Sequence, residues 1–252
     1  MNLLVAHIPG GLNSLEGWPT ELILLVLLVN LAIWILWRKH HKKNQKKSGK
    51  SHQSLKRFDP RRGNASERAA LKELVACGLP PQDIFHDLYV VHPNGKTSQI
   101  DLVAMTRIGL IVIEVKDYAG RIIGKGTDEE WTQKLSHGRI KNRHQNPFLQ
   151  NERHIKALRT LSRQMASLPM YSLVVFFGDC DLSEIKNLPA GCYLIKEYHI
   201  RQTIQALIKA KPDAKYTNKK EIRTLLDEAV QHGSSRKVRQ SHVRQIQELV
   251  SS

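Results

Sequence analysis

The stretch QIDLVAMTRIGLIVIEVKDY, residues 99–118, decides the fold because it is the most apolar part of the predicted soluble region. Two runs rich in branched apolar residues flank a short turn, a pattern typical of a hairpin of two buried strands. Three charged residues, Asp101, Glu114 and Lys116, interrupt these runs. Since burying an ionised group without a partner is costly, the three charges require either partners or a function.

The geometry of a tight hairpin brings two of these charges together. With a two-residue turn, Thr106 pairs with Gly109. Counting back along both strands from that pair places Asp101 opposite Glu114. Lys116 lies two residues beyond Glu114 and therefore projects from the same face. A slip of one residue would separate the two carboxylates, so the predicted site depends on this register.

Two carboxylates that face each other among apolar side chains predict a cation-binding site. Like charges directly opposite on a sheet are destabilising, and desolvation adds to the cost. A hard cation such as Mg²⁺ would offset the repulsion, since it is commonly held by carboxylates together with waters and substrate phosphate. Lys116 could then lower the pKa of an attacking water or stabilise charge on a phosphate. The alternative is that Glu114 and Lys116 form an ordinary ion pair at a strand end.

Polar residues outside the hairpin favour a site over an isolated ion pair. The preceding predicted helix carries Glu67, and the first turns of the following helix offer Gln150, Asn151 and His154. Each also has a simpler explanation: the helix macrodipole favours Glu67 in a first turn, and Gln150 could be exposed. His154 lies one turn after Gln150, where it either contacts phosphate or is a satisfied, partly buried histidine.

Periodicity and turn residues predict the order α-β-β-β-α-β for the soluble region. One helix is expected to begin at Asn146–Pro147, because asparagine can cap a helix and proline suits its first position. That helix is expected to run to about Met165, and residues 197–252 are expected to be helical and basic. The other predicted elements are a helix over residues 65–77 and strands over residues 83–91, 98–105, 110–116, 171–178 and 192–195.

The charge balance indicates a polyanionic partner. The 252 residues carry a formal net charge of +16, with a pI near 9.9, which favours nucleic acid or an anionic membrane surface. The composition of residues 38–60 predicts a basic, flexible linker. Its Lys and Arg could bind lipid head groups or nucleic acid, or they could serve only to set the membrane topology. The three cysteines are far apart and have no zinc-ligand spacing, which fits a reducing compartment.

Residues 20–37, TELILLVLLVNLAIWILW, predict a transmembrane helix. A helix of this length spans about 27 Å, and tryptophans lie at both ends, where membrane interfaces favour them. No Lys or Arg precedes residue 38, which argues against a cleaved signal peptide. The basic residues that follow predict that residues 1–19 lie outside and that residues 38–252 lie in the cytoplasm. The sequence therefore predicts a single-pass protein of the cytoplasmic membrane.

Several short motifs occur together between residues 62 and 178. They are RGNASE (62–67), TSQID (97–101), GLIVIEVKDYAG (109–120), Trp131 and NPFLQNERHIKAL (146–158). In this combination the sequence resembles the nuclease-related domain (NERD) family of the PD-(D/E)XK nuclease superfamily. The resemblance implies an α/β, restriction-endonuclease-like fold, with a mixed central sheet flanked by helices, over residues 61–200. A basic helical C-terminal extension is expected over residues 201–252.

The resemblance also implies roles for five residues. Asp101 and Glu114 would be metal ligands, with Mg²⁺ or Mn²⁺ as the ion, and Lys116 would be the catalytic lysine. Glu67 would support the metal or its waters. Gln150 would help to position the site or the nucleic acid.

These expectations point to a membrane-anchored, divalent-metal-dependent nuclease that hydrolyses phosphodiester bonds in DNA. No helix-turn-helix, zinc-finger or RNA-binding signature is visible in the sequence, so contacts to the phosphate backbone are expected to hold the substrate. The alternative is a non-catalytic membrane tether that binds nucleic acid or a protein partner through a nuclease-like domain. A third hypothesis is an enzyme that acts on another phosphodiester, such as RNA.

Overall fold

The computed structural model describes residues 63–92, 94–235, 238 and 240–244. The predicted N-terminal segment, transmembrane helix and basic linker lie outside these residues. Within the part of the chain that is described, no helix is long and apolar enough to cross a membrane.

Helices and strands alternate along the described residues. In chain order they are α1 (Ala65–Ala76), β1 (Ile84–Val91), β2 (Thr97–Thr106), β3 (Gly109–Asp117), β4 (Gly120–Lys125), β5 (Glu130–Leu135), β6 (Ile140–Gln145), α2 (Pro147–Arg159), α3 (Arg163–Ser167), β7 (Met170–Phe177), β8 (Cys180–Lys186), β9 (Cys192–Lys196), α4 (Ile200–Ala210) and α5 (Lys219–Ser234). Short 3-10 turns precede β1, β6 and α4.

A mixed five-stranded sheet forms the centre of the fold, in the order β1-β2-β3-β7-β9. The first three strands pair antiparallel, whereas β3 pairs with β7, and β7 with β9, in parallel. Helix α1 packs against β1–β3, and α2 packs against β3 and β7. The predicted mixed α/β architecture is therefore confirmed, and it is compatible with a nuclease-like domain.

The main core lies between this sheet and helices α2 and α5. The strands contribute fully buried apolar residues such as Leu88, Ile100 and Val112. Helix α5 joins the same core and packs on β1. Its buried core residues are Ile222, Leu226, Ala229 and Val230. The segment predicted as a C-terminal extension thus supplies part of the apolar interior on which the sheet depends.

The β2–β3 hairpin has the predicted register. Thr106 pairs with Gly109 across a two-residue turn, and the ladder continues as far as Leu102 and Ile113. Asp101 and Glu114 occupy the next position along both strands, where the strand pairing ends. A side-chain contact replaces the ladder there: an oxygen of the Asp101 carboxylate accepts a hydrogen bond from the Val115 N–H at 2.9 Å.

A second, four-stranded sheet contains β4–β6, which lie in the connection between the hairpin and α2, together with β8, which follows β7. Its order is β6-β5-β4-β8, and β8 pairs in parallel with β4. Trp131 of β5 is 2% exposed and packs against Phe148 and Phe176, so its indole covers this part of the core. Its Nε1 donates to the carbonyl oxygen of Lys125, the last residue of β4, at 2.8 Å, and this hydrogen bond links β5 to β4 within the sheet.

The second helix begins where predicted but ends earlier. Asn146 accepts a hydrogen bond from the Phe148 N–H at 2.9 Å, and Pro147 takes the first helical position. The expected extension to Met165 is wrong, because α2 ends at Arg159. Ser162 caps a separate short helix by accepting from the Met165 N–H at 3.1 Å.

Candidate active site

A cavity of about 440 Å³ opens at the end of the β2–β3 ladder. All five residues to which the sequence assigned a role line it: Glu67, Asp101, Glu114, Lys116 and Gln150. They come from three parts of the chain: α1 supplies the first residue, the β2–β3 hairpin supplies the next three and α2 supplies the last. The fold therefore brings the predicted residues together in one place.

Lys116 is held as a cation at the floor of this cavity. Its Nζ donates to Glu114 Oε1 at 2.6 Å and to Gln150 Oε1 at 2.9 Å. Burial lowers the pKa of the Lys116 ammonium, but the adjacent Glu114 carboxylate raises it more, and the net result is a raised pKa. A protonated lysine is suited to stabilising negative charge rather than to accepting a proton.

Glu114 carries a negative charge at the centre of the cluster. Its side chain is only 1% exposed, and burial by itself raises the pKa of the carboxyl. His154 and Lys116 outweigh that effect, so the pKa of Glu114 is lowered overall. The second oxygen, Oε2, lies 3.2 Å from His154 Nε2, although the geometry does not complete a hydrogen bond.

The other two predicted carboxylates are poorly compensated. Burial, followed by the charges of Glu114 and Glu67, raises the pKa of Asp101 well above its ordinary value. Burial also raises the pKa of Glu67, with smaller contributions from Asp87 and Glu114, while a hydrogen bond from Asn64 opposes the rise. Glu67 Oε2 is buried without a hydrogen-bond partner. Such a cluster needs additional positive charge to become fully ionised.

The oxygen donors fit a hard divalent cation. Asp101 and Glu114 border the cavity, and two carboxylates are a usual protein contribution to a Mg²⁺ site. Among the residues that the structure describes, no three His, Cys, Asp or Glu side chains are grouped closely enough to hold an ion by themselves. The remaining coordination positions would therefore fall to waters or to substrate oxygens, an arrangement that Mg²⁺ favours.

Hydrogen bonds place the two helical contributors. Asn64 caps α1, since its Oδ1 accepts from the Glu67 N–H at 2.8 Å and its Nδ2 donates to Glu67 Oε1 at 2.6 Å. Asn151 is fully buried, and its Nδ2 donates to the Val112 carbonyl oxygen at 2.8 Å and to Ser172 Oγ at 2.9 Å. Asn151 thereby ties α2 to the central sheet beside Gln150.

Three further residues belong to this region, and sequence reasoning missed them. Asn64 could have been found, because Asn followed three residues later by Glu is a helix-capping pattern. Asp87 is a buried carboxylate near Glu67, with a left-handed backbone φ of 53°, and nothing in its strand-like surroundings signals it. His242 lines the cavity and its Nδ1 lies 3.0 Å from the Thr97 carbonyl oxygen. It comes from a segment far along the chain that no motif marks.

The chain is similar to a described protein family and to a bacterial protein. The model of the family described as nuclease-related domain matches residues 62–177. A protein of Bacillus anthracis, itself described as uncharacterized, is 32% identical over 167 residues, which cover 65% of this chain and 74% of that relative. No solved structure gives a significant match.

Proposed function

The chain belongs to the nuclease-related domain family, and from this membership and its buried charged cluster we propose that it is a divalent-metal-dependent nuclease that hydrolyses phosphodiester bonds in DNA. The observation that carries the proposal is the contact of Lys116 Nζ with Glu114 Oε1 at 2.6 Å, in a cavity that also holds Asp101 and Glu67. A purely structural ion pair would not require two further buried carboxylates beside it.

Each residue of the cluster has a distinct proposed role. Asp101 and Glu114 would hold Mg²⁺ or Mn²⁺, which when bound would activate a water and neutralise charge on the phosphate. The Lys116 ammonium stabilises the negative charge that develops on the phosphate oxygens in the transition state. Gln150 keeps the ammonium in place through its hydrogen bond of 2.9 Å. Glu67, which also lines the cavity, would support the metal or its waters.

The location of this chemistry is also part of the proposal. The apolar segment at residues 20–37 and the basic residues that follow it support a single transmembrane helix, with the catalytic domain in the cytoplasm. Residues 38–62 carry eleven Lys and Arg and one acidic residue, which suits a position beside anionic head groups.

The proposal is tested by cleavage of DNA in the presence and absence of metal. The full-length chain, purified in a mild detergent, should cut supercoiled DNA in Mg²⁺ or Mn²⁺ and should be inactive in EDTA. Lys116→Met keeps the length of the side chain but removes its charge, and should abolish cleavage. Lys72→Met, at an exposed position of α1, is the matched control. Undiminished cleavage by Lys116→Met would eliminate the proposed role of that lysine.

One observation favours a second function, that of a non-catalytic tether. Glu114 Oε1 is already engaged by Lys116, and the described residues contain no preformed set of three ligands. In that case the full-length chain binds DNA tightly in a salt-dependent manner and cleaves neither DNA nor RNA in any divalent metal. Cleavage of RNA but not of DNA would instead retain the chemistry and change the substrate.

A further inference from the structure

The outer face of the second sheet carries a row of cations that leads to the cavity. Arg121 of β4 pairs with Lys134 of β5, and Lys134 pairs with Lys141 of β6. Paired residues project from the same face, so three like charges follow one another across strands about 4.8 Å apart. Arg143 lies two residues after Lys141 and shares its face. Two residues further along the same strand, Gln145 lines the cavity.

The alternation of side chains establishes which face is exposed. On the inner face, Trp131 and Gln133 are buried, and His144 Nε2 lies 3.0 Å from Gln133 Oε1. Because side chains alternate along a strand, Lys134 of β5 and Lys141 and Arg143 of β6 project from the opposite, outer face. In agreement, Lys141 is exposed, and the Arg143 side chain is 80% exposed.

The row is electrostatically unfavourable in the protein alone. Cations directly opposite each other on a sheet are destabilising, and Lys134 has a cation opposite it on both sides. Arg121 lies 3.0 Å from Glu184 and 4.0 Å from Asp181, and Arg143 lies 3.4 Å from Glu130, but exposed ion pairs of this kind are weak. A polyanion laid along this face would convert the repulsion into attraction.

We propose that Arg121, Lys134, Lys141 and Arg143, here named the basic track, bind the phosphate backbone of duplex DNA beside the cleavage point. The inference rests on the proposed function, because that function makes DNA the polyanion and the track ends at the cavity proposed as catalytic. Proteins that hold single strands use aromatic side chains as stacking platforms. In β4–β6 the aromatic residues are Trp131 and His144, and both face inward. Backbone contacts alone suit a duplex, whose bases are already stacked.

The experiment compares two pairs of charge-removing substitutions in the full-length chain. K141A/R143A shortens the basic track. K215A/K220A is matched in charge and removes exposed lysines from the opposite end of the central sheet, where the neighbouring Tyr216 OH contacts the Thr106 carbonyl oxygen at 2.8 Å. Affinity for a short blunt DNA duplex and for the same sequence as a single strand is measured in EDTA over a series of NaCl concentrations.

K141A/R143A should weaken duplex binding by roughly 10- to 100-fold and reduce the slope of log K against log salt by about 2. K215A/K220A should change the affinity by less than about threefold, and the single strand should respond less than the duplex to K141A/R143A. Equal losses in the two variants, an unchanged affinity in K141A/R143A, or a larger loss for the single strand would each overturn the proposal. Because the binding is measured without metal, a loss specific to the basic track would support it even if the chain proved unable to cleave DNA.

Discussion

The turn end and the open end of the β2–β3 hairpin differ in how their polar groups are satisfied. At the turn, Thr106 Oγ1 donates a hydrogen bond to the Gly109 carbonyl oxygen at 2.9 Å. The same oxygen accepts a hydrogen bond from the Ile108 N–H at 3.3 Å. The Tyr216 hydroxyl donates to the Thr106 carbonyl oxygen at 2.8 Å. Strand pairing and side-chain bonds support each other here, and the segment closes around apolar side chains.

At the open end, the same two strands stop pairing beyond Leu102 and Ile113. The next residues are Asp101 and Glu114. Burial and neighbouring carboxylates raise the pKa of Asp101, whereas His154 and Lys116 lower the pKa of Glu114 despite its burial. An oxygen of Glu114 is buried without a completed hydrogen bond. The difference teaches that the apolar hairpin supplies the stability, while its open end holds charges that would not stay together in a less rigid frame.

The largest expected effect lies at the open end. Glu114→Gln preserves shape but removes the charge that faces Lys116, so metal-dependent cleavage should fall by at least about 100-fold. Glu73→Gln, which removes a carboxylate paired with Arg201 at 3.6 Å on the other side of α1, is the control and should retain cleavage. Rates are measured on supercoiled DNA, with circular dichroism to confirm folding. Equal activity in the two variants would erase the functional distinction between the ends.

The next effect in size lies at the turn. Gly109 has a φ of 119°, and an added Cβ would overlap the Pro169 carbonyl oxygen. Gly109→Ala should therefore lower the free energy of unfolding by about 3 kcal/mol. Gly138→Ala is the control without a clash, because φ there is 88° and no atom beyond those of its chain neighbours lies within 4 Å of the new Cβ. It should cost about 1 kcal/mol. Thermal unfolding measures both, and similar losses would show that the turn is not closely packed.

Asp101→Asn should stabilise the metal-free protein by about 1 kcal/mol, because it removes a buried charge repelled by Glu114 and Glu67. The folded-state pKa of Asp101 is raised, so its contribution to stability is fully present below the unfolded value of about 3.9 and is lost as the pH rises through the raised value. The variant should lack this loss. Mg²⁺ should raise the melting temperature of the wild type but not of the variant. A variant less stable than the wild type in EDTA at neutral pH would speak against unrelieved repulsion.

The smallest effect on cleavage is expected from Tyr216→Phe at the turn end. The substitution removes one hydrogen bond to the Thr106 carbonyl oxygen and should cost about 1 kcal/mol. Cleavage should be unaffected, because this hydroxyl lies at the opposite end of the strands from Lys116. Reduced cleavage at unchanged stability would show that the two ends are coupled.

Local rules were sufficient to predict the hairpin and much of its site. Alternation, turn length and register follow from the sequence between residues 99 and 118, which is why the positions of Asp101 and Glu114 could be derived by counting. The start of α2 could also be predicted, because Asn146 and Pro147 carry a strong capping signal. The end of the same helix could not, since the capping serine at Ser162 is a weak signal in a continuous helical pattern.

The second sheet shows where such rules stop. Strand β6 reads IKNRHQ and is exposed along most of its length, so its hydrophobic pattern is too weak to predict a strand. It forms because β5 pairs with it and anchors Trp131 against Phe148 and Phe176. Asp87 and His242 reach the site through tertiary contacts alone. Apart from Asn64, which a local capping pattern marks, the residues missed are those placed by distant parts of the chain.

The central claim is that the open end of the hairpin binds a divalent cation through Asp101 and Glu114. The most direct test is a titration of the full-length chain with Mn²⁺, in which electron paramagnetic resonance reports the free ion. Wild-type protein should take up Mn²⁺ at a site that Mg²⁺ competes for, and D101N/E114Q should lack that site while remaining folded. Equal Mn²⁺ binding by the two proteins would contradict the account.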